Sequence, residues 1–298
     1  RGTVEFRQGQ LAEAEASLTK SLALNPDNNP AQLLRAEIYQ TQKDWKNAVA
    51  DATAVLSRDG HSLAALKIRG VSAFEMKHFQ DAIQDLENPA LRPSDTPDLQ
   101  WIRCQCLMEI DQKFRAREEL NALLTNSPAH MQARLMRAKL AEQSGEFEVA
   151  VGDLSYLMEQ QPNDVETRML RGLLQHRRGL YAEAVADFTA VLETQPENAD
   201  THFRRALAYN QMSKTDLAIV DLKTCLELKP KLADAYYVQG NISAAAGKTQ
   251  EAKESYQKAV ETHPSYAAAW YNLGNLLFNE SSLEEAVADW TKAIEFQP

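Results

Sequence analysis

Apolar positions along the chain recur at helical spacing, as in Ala182, Val185, Phe188, Val191 and Leu192. Such spacing puts them on one face of a helix. The pattern itself repeats every 34 residues. One column reads Ala14, Ala48, Ala82, Ala116, Ala150, Ala184, Ala218, Ala252 and Ala286, alanine nine times in succession. Twelve residues earlier only small residues occur: Gly2, Ala36, Gly70, Cys104, Ala138, Gly172, Ala206, Gly240 and Gly274. Twelve residues after the alanine stands Pro26, Gly60, Ser94, Pro128, Pro162, Pro196, Pro230, Pro264 or Pro298. Between the small residue and the alanine lies a short polar stretch, with Gly9, Gly145, Gly179 or Gly247 in four units. Each unit therefore predicts helix, tight turn, helix, and a residue that stops the second helix. The two small columns let the paired helices approach closely, and a bulkier side chain there would force them apart.

The unit resembles the tetratricopeptide repeat. Counting slots from residue 29, that family places a large residue at slot 4, small at 8, aromatic at 11, Ala at 20, aromatic at 24, Ala at 27 and Pro at 32. The last unit matches with Trp270, Gly274, Ala286, Trp290, Ala293 and Pro298, and Tyr39 and Tyr209 supply slot 11 elsewhere. The resemblance covers the whole chain. It implies an all-α fold, a right-handed superhelix (α-solenoid) of tandem antiparallel helix pairs with the first helices lining a concave face. The units run over 1–28 (partial), 29–62, 63–96, 97–130, 131–164, 165–198, 199–232, 233–266 and 267–298, as a single array. In the third unit Asn88-Pro89, Pro93 and Pro97 interrupt the second helix. Proline disfavours helix at and before itself, so a shortened or kinked helix is expected over 87–98. It reads as a tolerated kink or as a hinge between two sub-arrays. The chain opens at slot 7 with no initiator Met and ends on a slot-32 proline, which suggests an excerpt of a longer protein.

Charge adds a second set of columns. Slot 7 carries Arg35, Arg69, Arg103, Arg137, Arg171 and Arg205, and slot 23 carries Asp51, Asp85, Glu119, Asp153, Asp187 and Asp221. In the eighth unit both charges vanish together, at Gln239 and Ser255. This co-occurrence predicts ion pairs that link the two helices of a unit; a link to the next unit's arginine fits less well. The other reading is a ladder of free arginines facing an acidic or phosphorylated ligand, against which the matched acids argue.

Net charge is −10, from 32 basic and 42 acidic residues among 298. That disfavours binding to a phosphate backbone. No apolar run approaches the roughly 20 residues of a membrane span, so no membrane insertion is expected. Three cysteines cannot staple a chain of this size; they suit a reducing compartment such as the cytoplasm, though targeting segments can lie outside an excerpt. Enzyme signatures are weak. Gly247-Lys248-Thr249 lacks the glycine five residues earlier that a phosphate loop needs, having Ile242 instead. Cys104 and Cys106 have no second ligand pair. The six histidines form no catalytic spacing. Neither enzyme activity, metal nor cofactor is expected.

The resemblance assigns the concave face to slots 2, 5, 6, 9, 12 and 13. Slot 5 reads Leu33, Lys67, Trp101, Leu135, Met169, Phe203, Tyr237 and Tyr271, an apolar strip edged at slot 2 by Asp98, Glu166, Asp200 and Asp234. The carboxylate clamp of chaperone-binding members is not expected: Asn241 and Asn272 fit two of its slots, but Tyr237 replaces its first Lys. The expected function is a non-enzymatic scaffold that holds a peptide or helical segment of a protein partner in this groove. The contacts would be Trp101, Leu135, Met169, Phe203, Tyr237 and Tyr271, with Asn241, Asn272 and Asn275 as polar anchors. Alternatives are a regulatory or substrate-recruiting arm of a larger enzyme or co-chaperone, and self-assembly into a structural oligomer through uncapped ends.

Overall fold

A computed structural model describes residues 1–297, with the side chains of Pro93 and Ser94 left aside. The chain forms two compact units, residues 1–140 and 141–298, with the division inside one helix. In the first unit the helices are α1 Gly2–Arg7, α2 Leu11–Leu24, α3 Asn29–Thr41, α4 Trp45–Arg58, α5 Leu63–Glu75, α6 Phe79–Leu86, α7 Pro97–Glu109 and α8 Lys113–Asn126, followed by the start of α9 Met131–Ser144. The second unit continues with α10 Phe147–Gln160, α11 Val165–Arg177, α12 Tyr181–Thr194, α13 Ala199–Gln211, α14 Thr215–Leu228, α15 Ala233–Ala245, α16 Thr249–Thr262, α17 Ala267–Asn279 and α18 Leu283–Phe296. No strand occurs among the described residues. The fold is all-α, an α-solenoid in which successive helices pack as tandem pairs.

Local chemistry sets the ends of these helices. First helices open behind capping side chains: Asn28, Thr96, Asp164 and Asn198 each accept a backbone N–H of the opening turn. Second helices close at Asn25, Ser127, Gln161, Gln195, Lys229 and His263, each just before a proline. A following proline disfavours the helical backbone, and these residues sit at ψ between 69° and 89°. The turn inside each pair holds one residue in the left-handed region. It falls at Gly9, Lys43, Lys77, Asp111, Gly145, Gly179, Ser213, Gly247 and Ser281, again 34 apart. Glycine takes this conformation without steric cost, so the four glycines and five substitutes mark one geometric requirement.

Every alanine of the slot-20 column is fully buried. The small slot-8 residue faces slot 24 of its own pair. A methyl on Gly172 would lie 2.8 Å from Phe188, on Gly240 2.5 Å from Tyr256, and on Gly274 2.6 Å from Trp290. Where slot 8 is larger, as at Ala36, Cys104 and Ala206, slot 24 is smaller: Ala52, Leu120 and Leu222. The three aromatics of slot 24 all face glycine, while Gly2 and Gly70 face Leu18 and Leu86.

The third pair departs from this rule. Its second helix, α6, has eight residues where its counterparts α4 and α8 have fourteen. Asn88 then caps a 3-10 helix, Pro89–Ser94, by accepting the N–H of Ala90 at 3.0 Å. Leu91 plugs this turn into the core at 2% exposure. The segment also delivers Asp95 to Arg103, whose guanidinium is 1% exposed and lies between Asp95 and Glu119. The irregular stretch is therefore pinned by apolar burial and by charge.

Candidate functional site

In five repeats the arginine meets the acid of its own pair, Arg103 with Glu119 among them. Arg35 donates two hydrogen bonds to Asp51 at 2.7 and 2.8 Å, Arg69 two to Asp85 at 2.7 Å, Arg171 two to Asp187 at 2.8 and 2.7 Å, and Arg205 two to Asp221 at 2.7 Å. Hydrogen bonding to these carboxylates pushes the arginine pKa values up. Arg137 reaches Asn121 at 2.9 Å, and Asp153 is buried in the second unit. A third contact was not legible in the charge columns. Arg35, Arg171 and Arg205 each donate at 3.1 Å to a hydroxyl of the preceding repeat, Thr19, Ser155 and Thr189. These residues, with Asn121, share slot 25 and form a column of small hydrogen-bond acceptors. Arg35, Arg171 and Arg205 thus each tie three helices, with one bond from each guanidinium nitrogen.

Slot 4 carries a second device missed in the sequence. Arg134, Arg168 and Trp270 donate a side-chain N–H to the carbonyls of Pro128, Pro162 and Pro264 at 2.7, 2.6 and 2.7 Å, and the His202 ring lies 2.9 Å from that of Pro196. The signal was a side chain bearing N–H six residues after Pro128, Pro162, Pro196 and Pro264, whereas Tyr236 follows Pro230. The contact locks the turn between one pair and the next.

The first helices carry the apolar strip, mostly half-buried. In the first unit Trp101 stacks at 5.2 Å on His130 and, with Met136, packs against the core; Leu135 is half-buried. In the second unit Met169 accepts a hydrogen bond from Thr201 at 3.4 Å, and Phe203 packs against a core cluster that includes Ala199, Ala206 and Leu222. Tyr237 lies between Tyr256 and Tyr266, at 6.0 and 5.1 Å. These side chains divide their surface between the seam with the next helix pair and the outside. Tyr271 is 54% exposed, and the groove it lines with Trp290, Ala293 and Ile294 is the face that earlier second helices bury against the following pair, as Ala259 and Val260 do with Ala269.

The asparagines are drawn into a network. Tyr256 donates to Asn241 Oδ1 at 2.8 Å, Asn272 Nδ2 donates to the same oxygen at 3.0 Å, and Trp290 donates to Asn275 Oδ1 at 3.1 Å. The oxygens of Asn241 and Asn275 and the amide nitrogen of Asn272 are committed internally. The amide nitrogens of Asn241 and Asn275 have no protein partner among the described residues.

Other chemistry is sparse. Burial pushes the thiols of Cys104 and Cys106 up to about 12, which leaves them protonated and weakly nucleophilic at neutral pH. Among the described residues no group of three or more His, Cys, Asp or Glu side chains is placed to hold a metal ion, and no helix is long and apolar enough to cross a membrane.

Tandem helix pairs with spent internal charges and an apolar strip define a repeat scaffold. The tetratricopeptide repeat model matches residues 115–165, 135–198, 169–222 and 237–298, together more than half of the chain. The chain belongs to the tetratricopeptide repeat family, and arrays of this kind are protein-interaction scaffolds. A second model, anaphase-promoting complex, cyclosome, subunit 3, matches residues 7–89. Similar solved structures include the crystal structure of MamA, 24% identical with a TM-score of 0.51, covering 54% of this chain and 94% of that one. Residues 41 to the end of MamA from Desulfovibrio magneticus RS-1 are 23% identical with a TM-score of 0.52, over 56% of this chain and 94% of that one. These likenesses are of fold. No curated protein matches the chain.

Proposed function

We propose that the protein is a non-catalytic scaffold whose first helices hold a peptide or helical segment of a protein partner. In the second unit the contact surface is Met169, Phe203, Tyr237 and Tyr271, with the Asn241, Asn272 and Asn275 network beside it. Trp101 and Leu135 are the corresponding residues of the first unit. The observation that carries this reading is the apolar strip itself: Trp101, Leu135, Met169, Phe203 and Tyr237 are half-buried along the first helices and keep part of their surface outside the core. An exposed apolar surface of this kind marks interaction sites, and aromatic side chains dominate binding energy there. Phe203 and Tyr237 also hold the seams between helix pairs, so their loss costs stability as well as contact. Tyr271 separates the two effects. In affinity capture followed by quantitative mass spectrometry, Tyr271→Ala is expected to lower recovery of the bound partner at least tenfold with an unchanged melting temperature. Equal recovery by the two proteins would remove the groove from the function.

A further inference from the structure

The arginine column has one exception that opens a second site, on the face formed by the second helices. In the third repeat the groove between α4 and α6 holds the Arg69–Asp85 pair. It is lined by Val49, Ala73, Asp81 and Gln84 and has a volume of about 280 Å³. The corresponding groove of the last repeat lies between α16 and α18. It is built from the same slots, with Lys253, Leu277, Glu285 and Ala288 in the places of Val49, Ala73, Asp81 and Gln84. The acid is kept, as Asp289, but the arginine is replaced by Leu273. The groove enlarges to about 430 Å³. The eighth repeat loses both charges, at Gln239 and Ser255, so this is the one repeat from the second onward that keeps the acid after losing the arginine.

Asp289 is only 8% exposed. Among the described residues its carboxylate has an ion pair with Lys292 and no forked hydrogen bond from a guanidinium. The ammonium of Lys292 stands 3.6 Å away, one turn along the same helix, and lies 3.8 Å over the ring of Trp270. Lys253, at the other wall, is engaged by Glu280 at 2.9 Å. Burial holds the Asp289 carboxyl above the usual carboxylate range. A buried carboxylate without a forked donor is costly, and a guanidinium is the group that satisfies it with two parallel bonds.

We propose that this groove binds an arginine side chain of a protein partner. The guanidinium takes the place that the column's own arginine takes elsewhere and donates two hydrogen bonds to Asp289, as Arg171 does to Asp187. The aliphatic stem lies on Leu273 and Leu277. Gln257 occupies slot 25, where Ser155 and Thr189 accept the third N–H of their arginines. Glu285 adds negative charge at the rim. Lysine fits less well, since an ammonium is a point donor without the fork.

Methyl-labelled full-length protein titrated with Nα-acetyl-arginine amide tests this, read at the Leu273 and Leu277 methyl signals. A saturable shift is expected with the arginine probe, a weaker one with Nα-acetyl-lysine amide, and none with the uncharged citrulline analogue. Asp289→Asn should weaken arginine binding at least tenfold, whereas Tyr271→Ala should leave it unchanged, which separates this site from the first-helix groove. Leu273→Arg should fill the groove from within, abolish probe binding and raise the melting temperature. If that variant does not fold, Asp289→Asn decides alone. Wild-type binding by Asp289→Asn, or no saturable shift in the wild type, overturns the assignment.

Discussion

At the scale of the residue, the array is a problem in volume. Slot 8 and slot 24 face one another in each pair, and the three aromatics of slot 24 stand across from glycine. Gly240 admits Tyr256 because a methyl would sit 2.5 Å from the ring, closer than atoms pack. Tyr256 is 2% exposed and hydrogen-bonded to Asn241, so it cannot swing away cheaply. Gly240→Ala is therefore expected to destabilise by about 1–2 kcal/mol in urea unfolding, overpacking outweighing alanine's better helix propensity. A more stable variant would show that the helices have slack there. The tyrosine and tryptophan at slot 24 are affordable only because glycine stands across from them.

At the scale of the element, the arginines decide how helices register. Arg171 joins α11 to α12 through Asp187 and to α10 through Ser155. Asp187 is 2% exposed, so removing it leaves a guanidinium without its counter-ion in a largely buried place. Asp187→Ala should cost about 3 kcal/mol in denaturant unfolding, and adding Arg171→Leu should recover much of that loss. If the single change left the midpoint unmoved, the pair would be contributing nothing to the seam. The eighth repeat, with Gln239 and Ser255, shows that the fold tolerates losing both partners together. Such pairs set register more than they add net stability, because desolvation offsets their attraction.

At the scale of the whole molecule, stability against pH carries two opposed contributions. Burial lowers the pKa of His176, whose buried Nε2 has no hydrogen-bond partner among the described residues. The unfolded chain then takes up this proton below about pH 6.5 while the folded protein resists it, so stability is lost as pH falls. Asp289 has the reverse sign. Its folded pKa is raised, so the unfolded chain ionises first, from about pH 4 upward, and stability is lost as pH rises towards the folded value. His176→Phe, the residue found at the same slot in Phe74 and Phe278, should flatten the fall in melting temperature between pH 7 and 5. Asp289→Asn should match or exceed the wild-type melting temperature at pH 7. An unaltered acid limb in His176→Phe would assign that limb to other groups.

The residue order alone carried the 34-residue period, the helix pairs, the small columns and the pairing of acid with arginine. Each depends on spacing along one helix or across one turn, which local geometry fixes. The contacts between a pair and its predecessor were not legible: the slot-25 acceptors, the slot-4 donors on proline carbonyls, and the placement of Asp95 beside Arg103. They join residues whose separation is set by how pairs stack, and no single-helix periodicity reports that. The strip was legible as apolar but not as divided between seam and surface. Tyr237 lies between Tyr256 of its own pair and Tyr266, which the following first helix brings to it. Exposure depends on which neighbours arrive in space, and folding alone brings those neighbours together.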